Sequence, residues 1–286
     1  IVYHDDWGDY STNEPTHDGT AGLAVYLSSL FKTAKNAKGE TKETTEASEN
    51  SSLITHRSSL LYSKGALIRL DSTKKEIALV FTGHEFADGY ETITKTLNKH
   101  NAKGNFFFTG DFYRNPAYAG IIKDLRAKGH YLGAHSDKHI LYNSWERRDS
   151  TLVTKQQFEQ DVIDNFKEML RFGIRKDDAP FFLPPFEWYN EEIAGWTTGL
   201  GLKLINFTPG TRSNQDWTIP SGSFYFSSDS IMQTITSFEE KSTSGMNGFL
   251  LLTHFGTHPE RTDKFYEILD DLLLYLRQKG YNFVRL

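Results

Sequence analysis

From about Gly65 onward, short apolar runs alternate with segments in which apolar residues recur at helical spacing. The run Ile77–Phe81 is continuously apolar, which is typical of a parallel strand buried on both faces. Helical spacing follows over residues 90–100, and the alternation continues to the end of the chain. Strands that alternate with helices predict a parallel sheet joined by right-handed crossovers.

The pattern predicts strands at 66–70, 77–81, 105–108, 130–133, 181–183, 202–207, 249–253 and 282–284. It predicts helices at 90–100, 117–128, 154–172, 190–200 and 259–279. Six or seven strand–helix units in about 220 residues fit a barrel better than an open sheet. Strand signals fade between Asp216 and Asn247. We therefore predict an α/β fold, a distorted (β/α) barrel with fewer than eight strands.

The first 64 residues lack this regularity. Residues 22–35 show helical spacing, whereas residues 36–52 are polar and predict an exposed loop. We expect residues 1–64 to form an N-terminal extension packed on a barrel domain of residues 65–286. The chain begins at Ile1 rather than Met, so we expect a processed chain from which a signal peptide has been removed.

Composition excludes several classes of partner. The net charge is −5 and basic runs are absent, so there is no surface for nucleic acid. No apolar stretch is long enough to span a bilayer, and no protein partner is evident. The absence of cysteine excludes disulfides and cysteine-ligated metals. It is compatible with an extracytoplasmic location, whether periplasmic, surface-attached or secreted.

Polar and aromatic side chains gather directly after the predicted strands. In βα barrels, the reactive residues lie at the C-terminal ends of the strands, so we expect these side chains to meet at one rim. They are His84, Glu85 and Asp88; His135 and His139; Pro185, Phe186, Glu187 and Trp188; Asp216 and Trp217; and His254.

The segment His135-Ser136-Asp137-Lys138-His139 carries the most specific chemistry. If it forms a helical turn, both imidazoles lie on one face and can bind one divalent metal, zinc being the metal expected. His84 would complete a set of three histidines, or it is a residue at a loop tip. Asp88 is either a further ligand or the cap of the following helix.

The other candidates also keep two interpretations. Glu85 is a general base or a solvated loop acid, and Asp216 either orients His254 or makes an Asx turn. His254 is a general acid or a structural histidine. The aromatic residues near 186–188 and Trp217 are walls on which sugars stack, or parts of the core.

Residues 65–286 resemble the polysaccharide deacetylases, which are the family four carbohydrate esterases with a NodB-homology domain. The family's His-Ser/Thr-x-x-His motif stands intact at residues 135–139. Residues 105–110, the pair Asp216-Trp217, residues 251–254 and the terminal segment 277–284 resemble further family motifs in the same order. The resemblance implies a divalent metal at the paired histidines and a catalytic role for His254.

Two family motifs are altered in this chain. The first, Thr-Phe-Asp-Asp-Gly, supplies the base and a metal ligand in the family, but those positions fall on Thr82 and Gly83. The arginine of the third motif, which orients the base, falls on Leu183. The joint loss implies either a rebuilt base region, with Glu85, Asp88 or Glu187 as newcomers, or a site without the ordinary activity.

Three functions follow from these residues. The first is metal-dependent hydrolysis of acetyl groups on a polysaccharide, either from N-acetyl-glucosamine or from O-acetyl-xylose units. The second is a catalytically silent carbohydrate-binding protein on the same fold. The third, a glycosidase that uses two carboxylates, has less support because no acid pair is clearly placed.

Overall fold

The computed structural model describes residues 59–222 and 224–286. The predicted helix at 22–35 and the polar loop at 36–52 lie outside these residues. The packing of an N-terminal extension on the barrel therefore stays a prediction.

The described chain alternates strands and helices almost throughout. The strands are β1 (Leu61–Ser63), β2 (Ala66–Arg69), β3 (Glu76–Gly83), β4 (Gly104–Phe108), β5 (Tyr131–Ala134), β6 (Phe181–Phe182), β7 (Lys203–Leu204), β8 (Phe249–His254) and β9 (Asn282–Phe283). The helices are α1 (Tyr90–Lys99), α2 (Gly110–Arg114), α3 (Ala119–Ala127), α4 (Lys155–Leu170), α5 (Glu191–Gly199), α6 (Ser228–Lys241) and α7 (Leu269–Gln278).

Seven of these strands follow one another around a distorted barrel, in the order β2-β8-β3-β4-β5-β6-β7. Neighbours from β8 to β7 run parallel, and β2 is antiparallel to β8. The circuit closes through one parallel bridge between Leu67 and Ile205. β1 forms a hairpin with β2, and β9 pairs with the start of β3. The predicted fold class is confirmed.

Thr208 completes the closure of the barrel. Its hydroxyl donates to the carbonyl of Ile68 and accepts from the amide of Leu250 at 2.9 Å. Its own amide donates to the carbonyl of Leu250 at 3.0 Å. One buried side chain thereby supplies hydrogen bonds where the strands do not pair.

The core fills both faces of the central strands. Phe106, Phe107 and Phe108 are consecutive in β4 and fully buried. Successive side chains of a strand point to opposite faces, so consecutive phenylalanines require apolar neighbours on both sides of the sheet. Phe81 stacks on Phe106 with ring centroids 5.0 Å apart, and Phe108 stacks on Phe112 of α2 at 4.1 Å.

Some predicted elements differ in the structure. The helix predicted over 259–279 begins only at Leu269, after a 3₁₀ turn at Phe265–Ile268. Residues 257–264 form a loop because the ammonium of Lys264 binds the carbonyl oxygens of Thr257 and His258. Helix α6, capped by Ser227, lies in the stretch where no element was predicted. The strands at 181–183 and 202–207 shorten to two residues each.

Replacing Thr208 with valine keeps the shape of the side chain and removes both of its hydrogen bonds. We expect the free energy of unfolding to fall by about 1–3 kcal/mol, because buried backbone groups of Ile68 and Leu250 lose their partner. Urea unfolding measures this loss. Thr236→Val on the exposed face of α6 is the matched control. Equal stability of the two variants would contradict the role given to Thr208.

Candidate functional site

The segment 135–139 is an irregular loop with a bend after β5 rather than the predicted helical turn. Ser136 and His139 have φ angles of 72° and 54°, in the left-handed region that is unfavourable for residues with a Cβ. The hydrogen-bonding groups of the loop are used by neighbouring elements instead of by an intrahelical ladder. The carbonyls of Ser136 and Asp137 accept from the amides of Gly110 and Asp111 at the start of α2, at 3.0 and 3.1 Å.

Helix α4 holds the other side of this loop, which we call the histidine loop. The Asp161 carboxylate accepts from the amides of Asp137 and Lys138 at 3.1 and 3.2 Å. Four residues further along the same helix face, the Asn165 side chain accepts from the amide of His135 at 2.8 Å. Hydrogen bonds from both sides therefore hold the strained backbone in place. They set the backbone positions from which the side chains of His135 and His139 extend.

Three imidazoles lie together at the ends of β3 and β5. The ring of His139 stacks on that of His84 with centroids 4.8 Å apart and planes 10° apart. His135 and His139 are 5.1 Å apart in an edge-to-face arrangement. His84 Nδ1 lies 3.0 Å from the hydroxyl of Thr109, which also caps α2. The structure thus brings together the histidines that the sequence predicted as ligands.

The environment favours the neutral form of all three rings. Burial lowers the pKa of His135 to about 3, and burial also lowers the pKa of His84 and of His139. Neutral imidazole is the form that binds a metal. His135 Nδ1 donates to the carbonyl of Leu183 at 2.8 Å. In the neutral ring, the lone pair is then on Nε2, where it can bind a metal.

Imidazole nitrogens are donors of the kind that zinc binds. In this structure, however, the three rings are not arranged around one common position. Within residues 59–222 and 224–286, no three His, Cys, Asp or Glu side chains are grouped so that they could hold a metal ion. His84 and His139 instead lie flat against each other. Joint ligation would require at least one of these rings to turn out of the stack.

His254 has the opposite electrostatic environment. Its Nδ1 donates to Asp216 Oδ1 at 2.6 Å, and its backbone amide donates to Oδ2 at 2.9 Å. Burial opposes protonation, but the Asp216 carboxylate and then Glu187 outweigh it, so the pKa of His254 is raised above its usual value. The predicted contact between Asp216 and His254 is therefore present, and it fixes both the ring and its proton.

Asp88 and Glu85 occupy different positions on the rim. The Asp88 carboxylate binds Lys264 at 2.9 Å, Tyr266 at 2.7 Å and the amide of Thr257 at 2.9 Å. These bonds tie Asp88 to the loop after β8, so the carboxylate predicted as a ligand is engaged away from the histidines. Glu85 is exposed, and its backbone carbonyl accepts from Tyr118. The negative charge of Glu85 acts on the neighbouring His84 ring.

The predicted substrate-binding residues differ in accessibility. Pro185, Glu187 and Trp188 are buried, with Trp188 only 6 % exposed. Phe186 is partly exposed and packs edge-on against His139 at 4.3 Å. Trp217 is also partly exposed, next to Asp216. Phe186 therefore contacts one of the candidate ligand histidines directly.

The residues at the two altered motifs are packed in the interior of the protein. A Cβ at Gly83 would lie 2.8 Å from the ring of Phe108, so an aspartate there requires that ring to move. Thr82 is buried, and its hydroxyl has no hydrogen-bond partner among the described residues. Leu183 is buried in the core and contributes its carbonyl to His135.

Sequence reasoning missed several residues that shape the site. Asp161 and Asn165 lie in a helix that the sequence predicts, but they were not predicted to support the site. Two polar residues four apart on the buried face of a helix are a signal that could have identified them. Thr109 matches the ordinary cap preference before a helix. Trp145, which contacts Phe186 at 5.6 Å, had no signal because it lies in a loop without a regular pattern.

Comparisons with known proteins agree with this arrangement. Residues 69–205 match the profile described as polysaccharide deacetylase. The chain is 26% identical over 217 residues to the peptidoglycan-N-acetylmuramic acid deacetylase PdaA of Bacillus subtilis, covering 75% of this chain and 71% of that protein. Over these residues, the chain is similar to the polysaccharide deacetylases.

Two solved structures share the fold. The peptidoglycan N-acetylglucosamine deacetylase Bc1960, solved with a benzamide ligand, has a TM-score of 0.61 at 20% identity, over 77% of this chain and 89% of that one. BA3943 of Bacillus anthracis, described as a pseudoenzyme of the same esterase family, has a TM-score of 0.60 at 17% identity, over 78% and 67%. At these identities, the likeness concerns the fold.

Asp161→Asn should loosen the histidine loop, because an amide group cannot accept from both loop amides and from Tyr142 as the carboxylate does. We expect a loss of about 1–3 kcal/mol in the free energy of unfolding. Hydrogen exchange of the Asp137 and Lys138 amides should become faster. Asp164→Asn, on the exposed side of α4 beside Lys167, is the control and should change neither. Unchanged exchange in Asp161→Asn would show that the loop does not depend on α4.

Asp216→Asn removes the charge that favours protonated His254. The pKa of His254 should therefore fall, because burial then acts without the opposing carboxylate. NMR titration of the His254 ring protons measures the shift. Asp270→Asn, which removes a surface carboxylate bound to His100, should leave the His254 titration unchanged. A His254 pKa that is equal in wild type and Asp216→Asn would refute the coupling.

Proposed function

We propose that this protein is a metal-dependent hydrolase that removes acetyl groups from a polysaccharide. The observation that carries the proposal is the hydrogen-bonded pair of Asp216 and His254 at the end of β8, on the same rim as three neutral histidines. The similarity to polysaccharide deacetylases suggests the reaction class, and the rim carries groups of the required kinds. The proposed proton donor and the proposed metal ligands lie in different electrostatic environments.

His135 and His139 are the proposed ligands of the divalent metal, with His84 as the third. Zinc is the expected ion, because a set of neutral imidazoles suits it. When bound, such an ion would polarise the acetyl carbonyl and lower the pKa of a coordinated water. His135 is already oriented for this role, since the carbonyl of Leu183 holds its other nitrogen.

His254 is the proposed general acid. The Asp216 carboxylate raises the pKa of His254 against the effect of burial, which favours the protonated ring, and it keeps the ring oriented. The proton would pass from the imidazolium to the nitrogen or oxygen that leaves the acetyl carbon. The Asp216 carboxylate accepts from the ring and compensates its charge before that transfer.

The base is proposed among the carboxylates that remain on the rim, because Thr82 and Gly83 cannot take a proton from water. Glu85 is the first choice, since its exposed side chain lies next to His84 and is free of the bonds that occupy Asp88. Glu187 is the second, since it is buried within electrostatic reach of His254.

A cell-wall polysaccharide is the proposed substrate class, on the model of the relative PdaA, whose name states a peptidoglycan substrate. We also place the protein outside the cytoplasm, where such a polymer is accessible. The absence of cysteine is compatible with this location. Among the described residues, no helix has the length and apolarity needed to cross a membrane.

Metal uptake and acetate release test the proposal together. Wild type should bind zinc stoichiometrically, and His135→Ala and His139→Ala should each lose it. Glu85→Gln should lower turnover about a hundredfold to ten-thousandfold with little change in melting temperature. Glu91→Gln, an exposed position at the start of α1, is the control.

Other results would redirect the assignment. A turnover loss in Glu187→Gln, with Glu85→Gln unaffected, would move the base to Glu187. Wild type that releases no acetate from chitin oligomers, acetylated xylan or peptidoglycan fragments, with zinc, cobalt or nickel present, would refute hydrolysis. If it still bound these sugars, the silent carbohydrate-binding function would replace it.

A further inference from the structure

The turn after β6 holds two consecutive residues in an unfavourable backbone conformation. Phe186 and Glu187 have φ angles of 59° and 54°, both left-handed and neither glycine. Such conformations are unfavourable for residues with a Cβ and persist only where surrounding contacts impose them. Here the carbonyl of Glu187 accepts from the Asn206 side chain at 2.7 Å. The result is a fixed Phe186 ring beside His139.

A second loop, residues 143–151, is bound to this turn. The loop is closed at its base by a bridge between Asn143 and Thr151. The indole N–H of Trp188 donates to the carbonyl of Ser144 at 3.1 Å, and Arg148 Nε donates to the carbonyl of Tyr189 at 2.8 Å. The two loops therefore form one rigid surface next to the histidines.

Four rings follow one another on this surface, beginning at the candidate metal ligands. His139 contacts Phe186 at 4.3 Å, and Phe186 contacts Trp145 at 5.6 Å. Trp145 then packs on Trp188 at 5.3 Å. The Arg148 guanidinium covers Trp188 at 4.1 Å, and Trp188 is buried. Beyond His139, which is itself partly exposed, Phe186 and Trp145 are the partly exposed rings of this row.

We propose that Trp145, together with Phe186, binds the sugar unit that adjoins the acetylated one in a polysaccharide chain. The inference rests on the proposed function, because it takes the histidines as the reacting centre. The row of rings leads away from His139. A polysaccharide with its acetylated unit at the histidines could therefore place its next sugar unit on Phe186 and Trp145. Partly exposed aromatic rings offer an apolar face to the C–H groups of a sugar.

The arrangement predicts selectivity for oligomers. A single acetylated sugar at the histidines does not need Trp145, whereas a longer chain gains a contact on it. The loops are already held together by hydrogen bonds, so little ordering is required when the sugar binds. Trp145 is therefore a specificity-determining residue and has no part in the chemical step.

The test compares binding of N-acetylglucosamine, xylose-based and peptidoglycan-derived sugars of one, two and four units by calorimetry. For at least one class, wild-type affinity should increase with length. Trp145→Leu retains bulk without a flat face, and it should weaken binding of the four-unit sugar about tenfold while leaving the single unit unchanged. Trp145→Phe should restore most of the lost affinity. Tyr62→Ala, at an exposed aromatic residue in β1, is the control.

The outcomes separate this inference from the proposed function. Length-dependent binding that Trp145→Leu abolishes would support the inference even if wild type released no acetate, in which case only the hydrolytic function would fail. Equal weakening for one and four units, with the fold intact by circular dichroism, would overturn the inference. Length-dependent binding that survives in Trp145→Leu would also overturn it, as would wild type that binds none of the sugars.

Discussion

The site depends on the external hydrogen bonding of one strained loop. The histidine loop cannot satisfy its own backbone groups, because two of its residues are left-handed and interrupt any helical ladder. The start of α2 supplies donors to its carbonyls, and the side chains of Asp161 and Asn165 accept from its amides. The positions of His135 and His139 are therefore set by two helices that carry no reactive group themselves.

The environments of the imidazoles on this rim shift their pKa values in opposite directions. Burial without a nearby carboxylate partner lowers the pKa of His135, whereas the Asp216 carboxylate outweighs burial and raises the pKa of His254. Environments that separate the pKa values of like groups assign them different tasks. One set of histidines is thereby suited to a metal and another to proton transfer, although all lie at the ends of neighbouring strands.

The residues that replace the family motifs fit the packing around them. Gly83 lies against Phe108, so the ring occupies the space that an aspartate side chain would need. Leu183 stands where the family motif has a charged arginine. It still has a structural role, because its carbonyl accepts from His135 and orients that ring. Asp88 and Asp216 on this rim are hydrogen-bonded to Lys264 and His254, and two further carboxylates are Glu85, which is exposed, and Glu187, which is buried in the strained Phe186 turn.

The sequence by itself determined the strand–helix alternation, the barrel, and the strand ends near which His84, His135, His139 and His254 lie. These features are local, because apolar periodicity and the order of motifs record them in successive residues. Only the tertiary structure decided that the histidine loop is not helical and that Asp88 binds Lys264. It also placed Asp161, Asn165 and Trp145 beside the site. These outcomes depend on hydrogen bonds and ring contacts between segments far apart in the chain, and no pattern of neighbouring residues encodes such contacts.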